Sequence, residues 1–239
     1  MIVWNSLLKP NNGGFGQLVR SLSGGPSLSG FEQVVPQMTD RWQARYQIPV
    51  RNRDQMLAMR AMLSNLRGRT GTIALPAYEN RYAPWRTDQY GRRFTPRYVR
   101  TRALDGSPYA DPLNINDTLI TATIRDAAPA MATNPVLRIT QGAAPQRGNR
   151  FSINTRLYEI IDLSPIDATD YYIIVWPWLR FAVAAGTVAD FTTPICEMRL
   201  ISDDQGQDAM QSLDVMKYAA PVLQFEEAAP VTDDAPPGA

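Results

Sequence analysis

Phe151 to Ile201 reads FSINTRLYEIIDLSPIDATDYYIIVWPWLRFAVAAGTVADFTTPICEMRLI. Apolar runs of strand length, rich in Ile, Val, Tyr, Phe and Trp, alternate there with short Asn, Ser-Pro, Asp and Gly punctuation, the pattern of successive antiparallel strands. Residues 151–154 and 156–163 read as two strands joined by a tight turn at Asn154-Thr155, because asparagine tolerates the positive φ that such turns demand. Leu163-Ser164-Pro165 ends the second. Tyr171 to Trp176 is six β-favouring residues without polar alternation, so it reads as a strand covered on both faces, by core on one side and by another layer or subunit on the other. Pro177 then closes that strand, since proline cannot donate to a ladder. Residues 195–201 return to alternation, with Cys196, Met198 and Leu200 against Glu197 and Arg199.

Working back toward the N-terminus, Trp42 to Val50 is the clearest period-two segment, with Trp42, Ala44, Tyr46, Ile48 and Val50 on one face. A helix is predicted over 53–67. Asn52 serves as N-cap with Gln55 three positions on, Gly68 terminates the helix, and Met56, Met59, Leu63 and Leu66 form its apolar stripe. Residues 70–76 read as a return strand. The clusters at 10–14 and 23–30 have loop composition. Residues 119–124 and 136–139 read as strands of a small inserted unit. Residues 219–239, biased to Ala, Pro and acids, read as a mobile tail.

The fold class expected is mainly β with one α-helix. The expected division is a β domain from 1–80 plus 149–205, an inserted loop-rich β segment at 81–148, and a C-terminal extension from 206. With 9% aromatic and 20% charged residues and 19 prolines, the 239-residue chain suits a loop-rich β protein and not a helical bundle. Net charge is only +1, yet residues 1–110 hold 16 basic against 6 acidic side chains and residues 111–239 hold 8 against 17. Opposed halves of this kind suit subunits that meet positive surface to negative, and also nucleic-acid binding or two ordinary solvated faces.

The chain has no histidine. That removes the commonest general base, the commonest zinc ligand and every Ser-His or Cys-His arrangement. Ser6-Leu7-Leu8-Lys9 matches S-x-x-K without its companion motifs. Asp203, Asp204 and Asp208 lack the spacing of a calcium loop, and nothing singles out Glu159 with Asp162 as a glycosidase pair. Gly13-Gly14-Phe15-Gly16 lacks the ending of a phosphate loop. The single Cys196 forms no intrachain disulfide and reads as a core thiol. Neither a membrane-spanning run nor a signal peptide is legible, so synthesis and retention in the cytosol are expected. No catalytic residue, metal or cofactor is expected.

Between 81 and 102, seven arginines interleave with Tyr82, Trp85, Tyr90, Phe94 and Tyr98. Aromatic and arginine side chains so mixed are the anchors of protein interfaces, also stack on bases and pair with phosphates, and occur as well in solvated loops. The subunit-interface candidates are Trp85, Arg92, Arg93, Arg97, Tyr171, Tyr172, Trp176, Trp178 and Arg180.

Three groups of residues carry a resemblance: Ser27-Leu28-Ser29-Gly30-Phe31-Glu32-Gln33 followed by Arg41-Trp42; Leu66-Arg67-Gly68-Arg69 with Leu75-Pro76; and Arg156-Leu157-Tyr158-Glu159-Ile160 leading to Trp176-Pro177-Trp178-Leu179-Arg180 and Met198-Arg199-Leu200. In this order the chain resembles the distal tail, or baseplate hub, group of minor tail proteins of long-tailed bacteriophages and prophages. The resemblance implies a tail-tube-like split β-barrel or sandwich repeated as a hexameric ring at the end of the tail tube. Such a ring joins the tube protein to tip, hub or fibre proteins and lets DNA pass through its lumen. It is made in the host bacterial cytoplasm, resides in the virion and inserts in no membrane. The alternative is a carbohydrate-binding or adhesin module of the tail tip, with Trp85, Tyr90 and Tyr98 as a sugar platform.

Overall fold

A computed structural model describes residues 1–19, 21–26, 32–36, 40–79, 82–85, 120–205 and 219–229. It is mainly β, with one helix among the described residues and two main sheets. The chain divides into two compact units, the first from residues 1–77 with 195–231 and the second from 78–194.

The first unit carries a six-stranded sheet. Its strands are β1 (Ile2–Val3), β2 (Asn12–Leu18), β5 (Arg41–Gln47), β6 (Ile73–Pro76), β12 (Ile195–Leu200) and β13 (Val222–Glu227), ordered β1-β6-β12-β13-β5-β2. Only β1 and β6 run parallel. Strands β3 (Ser21–Pro26) and β4 (Glu32–Pro36) form a separate two-stranded ribbon. On β5, Trp42, Ala44 and Tyr46 are buried as their alternation predicts. Register aligns Tyr46 with Leu223 and Ala44 with Phe225, which extends the apolar face onto β13. Phe15 meets Trp42 and Tyr46 edge-on, with ring centroids 6.0 and 6.1 Å apart.

Helix α1 spans Arg53–Leu66, one residue shorter than predicted. Asn52 Oδ1 accepts from Gln55 N at 2.8 Å, and Gln55 Oε1 accepts from Arg51 N at 2.8 Å, so the reciprocal cap forms one residue earlier than a standard capping box. Met59, Met62, Leu63 and Leu66 are buried and Met56 is half-buried. The stripe is therefore shifted by one member. Arg67 takes the left-handed conformation at the C-cap and Gly68 follows it with φ +66°.

The second unit holds β7 (Thr121–Ile124), β8 (Val136–Gln141), β9 (Arg150–Ile153), β10 (Arg156–Pro165) and β11 (Asp170–Trp176), ordered β7-β8-β11-β10-β9 and antiparallel throughout. Its two edges are both tied to residues 183–190. Ala189 N donates to Ala122 O at 2.9 Å, and Ser152 and Asp190 exchange backbone bonds of 2.9 and 2.8 Å. This strap closes the sheet into a half-barrel around Ile124, Leu137, Phe151, Tyr158, Ile160, Ile173, Val175 and Phe191. Phe151 stacks on Phe191 at 5.0 Å.

Besides the loop reading of 10–14 and 23–30, parts of which lie in β2 and β3, three expectations change. Residues 149–176 do not join the first 80. They pair with 121–141, so the inserted unit runs from 78 to 194, and it enters and leaves where Pro76 pairs with Ile195. A strand's own composition marks it as a strand without saying which sheet it completes, and that depends on partners distant in sequence. Second, the segment read as a mobile tail contains β13, hydrogen-bonded between β12 and β5 with Leu223 and Phe225 buried. Third, β11 alternates: Tyr171, Ile173 and Val175 are buried while Tyr172 and Ile174 are exposed. One face belongs to the barrel core, and among the described residues no second layer of the same chain covers the other, which leaves another subunit as the expected cover.

Candidate functional site

The open face of β11 and the cleft beside β9 and β10 gather the chemistry of the second unit. On β11, residues of even number point outward. Asp170 begins this face opposite Arg138 on β8. Its carboxylate accepts from Arg138 Nε at 2.7 Å, from Arg138 Nη2 at 2.8 Å and from Arg125 Nη1 at 3.1 Å, with its side chain 2% exposed. The Arg138 hydrogen bonds, then those from Arg125, hold the Asp170 carboxyl well below the usual carboxylate range against the opposing effect of desolvation. Both arginines are raised in turn, Arg125 by hydrogen bonds to Asp126 and Asp170, Arg138 by its bond to Asp170.

Tyr172 and Ile174 follow, 55% and 44% exposed, and Trp176 is half-buried at the end of the strand. The register shift between Ile160 and Asp162 on β10 adds Ile161, itself exposed, so that three large apolar side chains stand outside the half-barrel. Asp162 sits opposite Ile174 and accepts from Arg147 Nε at 2.7 Å. That bond and one from Leu163 N–H lower its carboxyl.

The cleft has a volume of about 600 Å³. Its floor is the cross-strand pair Arg150 and Glu159, set face to face by the β9–β10 register. Arg150 Nε donates to Glu159 Oε2 at 2.8 Å and Nη1 donates to Glu79 Oε1 at 2.8 Å. Tyr82, Pro84 and Trp85 form one wall and residues 143–149 the other. The walls are pinned together: Ala143 N donates to Pro84 O at 2.8 Å and Asn149 Nδ2 to Tyr82 O at 2.7 Å.

Of the interface candidates, Tyr172 and Trp176 share the outward face of β11. Tyr171 is corrected: its ring lies in the core of its own unit, since it points to the opposite face. Trp178 and Arg180 form a pair, the guanidinium 4.3 Å from the indole centroid, and Trp178 Nε1 is buried with no hydrogen-bond partner. Trp85 lines the cleft, whose floor residue Glu159 is the register partner of Trp176. Arg92, Arg93 and Arg97, with Tyr90 and Tyr98, lie outside the described residues.

Glu159 and Asp162 are each bound to an arginine, Arg150 and Arg147, and do not face one another as an acid and base. Asp203 Oδ1 accepts from Arg69 N at 2.8 Å, where it closes the turn after α1. Among the described residues no three of Cys, Asp and Glu gather as a metal-holding group, and no helix is long and apolar enough to cross a membrane. Sequence reading missed the Arg150–Glu159 pair although both flank the Asn154-Thr155 turn symmetrically, which was signal enough. Glu79 and the Arg125–Asp170–Arg138 cluster carried no local signal.

The class defined by these features is a two-unit β protein with an apolar patch on one sheet face and an ion-paired cleft beside it. No protein-family model matches the chain, and no curated protein matches it in sequence.

Proposed function

We propose that the chain is a structural protein of a phage tail, a distal tail protein that forms a homohexameric ring joining the tail tube to tip, hub or fibre proteins. DNA passes through the lumen of that ring, and the protein resides in the virion. The observation that carries this reading is the outward face of β11, where Tyr172 and Ile174 stand exposed beside Ile161. Scattered apolar side chains are ordinary on protein surfaces, but adjacent ones on a regular sheet face suit contact with another protein. The resemblance to distal tail proteins supplies the setting.

Negative-stain imaging of the purified protein, with light scattering across a concentration series, tests it. Rings of uniform subunit number are expected, together with the protein in purified virions. A particle that stays monomeric at the highest concentration and is absent from virions overturns the reading.

A further inference from the structure

We infer that the cleft beside β9 and β10 binds a neutral oligosaccharide. This goes beyond ring formation and does not depend on it. Four features converge. The first is mixed hydrogen bonding at fixed positions. Arg150 is held in place by Glu159 and Glu79 through two 2.8 Å bonds, so guanidinium donors and carboxylate acceptors adjoin on one floor. A sugar hydroxyl both donates and accepts, and a vicinal pair spans a guanidinium and a carboxylate at once.

The second is charge. Among the described residues, the floor holds Arg150 with two carboxylates, while Arg147 at the edge is bound to Asp162. An anionic ligand meets Glu79 and Glu159, and a cationic one meets Arg150, so a neutral polar ligand is the one that suffers neither repulsion. The third is the wall. Trp85 and Tyr82 both line the cleft, and aromatic rings receive the C–H face of a pyranose. The fourth is rigidity. Asn149 ties the two walls: its amide donates to Tyr82 O and its carbonyl oxygen accepts from Gln146 N, both at 2.7 Å. A pinned site loses little freedom on binding. The cleft volume of about 600 Å³ falls within the range of about 300–1,000 Å³ common for small-ligand sites.

The test is saturation-transfer NMR on the full chain with neutral oligosaccharides of glucose, galactose, mannose, rhamnose and N-acetylglucosamine, and a parallel set of uronic-acid oligomers. At least one neutral oligomer is expected to receive saturation. Trp85→Ala and Glu159→Gln should each weaken it about tenfold, a loss of about 1.4 kcal/mol, and Trp85→Phe should restore most of the first loss. Circular dichroism melts identify any variant that fails to fold, and Trp85→Phe against Trp85→Ala then decides alone. The inference is overturned if no neutral oligomer binds at millimolar concentration, if only the acidic set binds, or if Trp85→Ala in a folded protein leaves affinity unchanged. Failure here leaves ring formation, read by imaging, untouched.

Discussion

Asp170 concentrates the electrostatics of the second unit in one side chain. Arg138 and Arg125 hold its carboxyl low, so the native state binds a proton there less readily than the unfolded chain, whose aspartates titrate near a pKa of about 3.9. The stabilisation it brings is therefore complete above that unfolded value and is lost as pH falls toward the lower folded one. Asp170→Asn should lower the melting temperature by several degrees at pH 7, with a wild-type advantage that is flat above about pH 5 and shrinks below about pH 4. Thermal melts of both proteins across that range check it; an advantage independent of pH refutes it. A second residue acts through the backbone. Gly13 has φ +115°, and a Cβ there would lie 1.8 Å from Arg45 O, whereas one at Gly14 meets nothing within 4 Å. Gly13→Ala should strip hydrogen-exchange protection from β2 and Gly14→Ala should leave it, since only the first blocks the approach of β2 to β5.

At the scale of elements, what the sequence disclosed was local. The helix start follows from Asn52 and Gln55, three residues apart, and both hydrogen bonds are present. Asn52→Ala should cost about 1 kcal/mol in denaturant melts, the usual worth of an N-cap side chain. The β9–β10 hairpin likewise follows from Asn154, which has φ +53° at the turn, and with it the Arg150–Glu159 floor of the cleft. What lay hidden was distant pairing. Arg138 and Asp170 are 32 residues apart, and nothing local to either strand announces that β11 returns to β8. β13 hid for a different reason. Its Leu223 and Phe225 alternate as a strand should, but Ala, Pro and acidic residues around them drowned a six-residue signal. Because β13 is bonded on both sides, truncation after Tyr218 removes an interior strand and exposes the apolar face of β5. Such a protein should be insoluble or should lose protection throughout β5 and β12, where a dispensable tail would leave both unchanged.

For the whole molecule, the insertion of one β unit between two paired strands of another separates two kinds of work. β6 and β12 pair through Pro76 and Ile195, so the first unit's sheet is continuous whatever the insertion does. The second unit satisfies its own edges with the 183–190 strap and buries its own core, so the exposed face of β11 is not needed to complete that core. Substitution there should then separate assembly from folding. Ile174→Asp places a charge on the open face, where it costs the isolated subunit little because the side chain is already 44% exposed and the facing Asp162 is neutralised by Arg147. Against a second protein surface the same carboxylate would be desolvated without a partner, which costs at least several-fold in association. The expected outcome is an unchanged circular dichroism melt with loss of higher-order particles in light scattering. Ile173→Asp is the contrasting change one residue away, on the buried face, and should unfold the unit outright. If Ile174→Asp melts as early as Ile173→Asp, the outer face of β11 belongs to the fold of the subunit; if it melts normally and still assembles, the contacts between copies lie elsewhere.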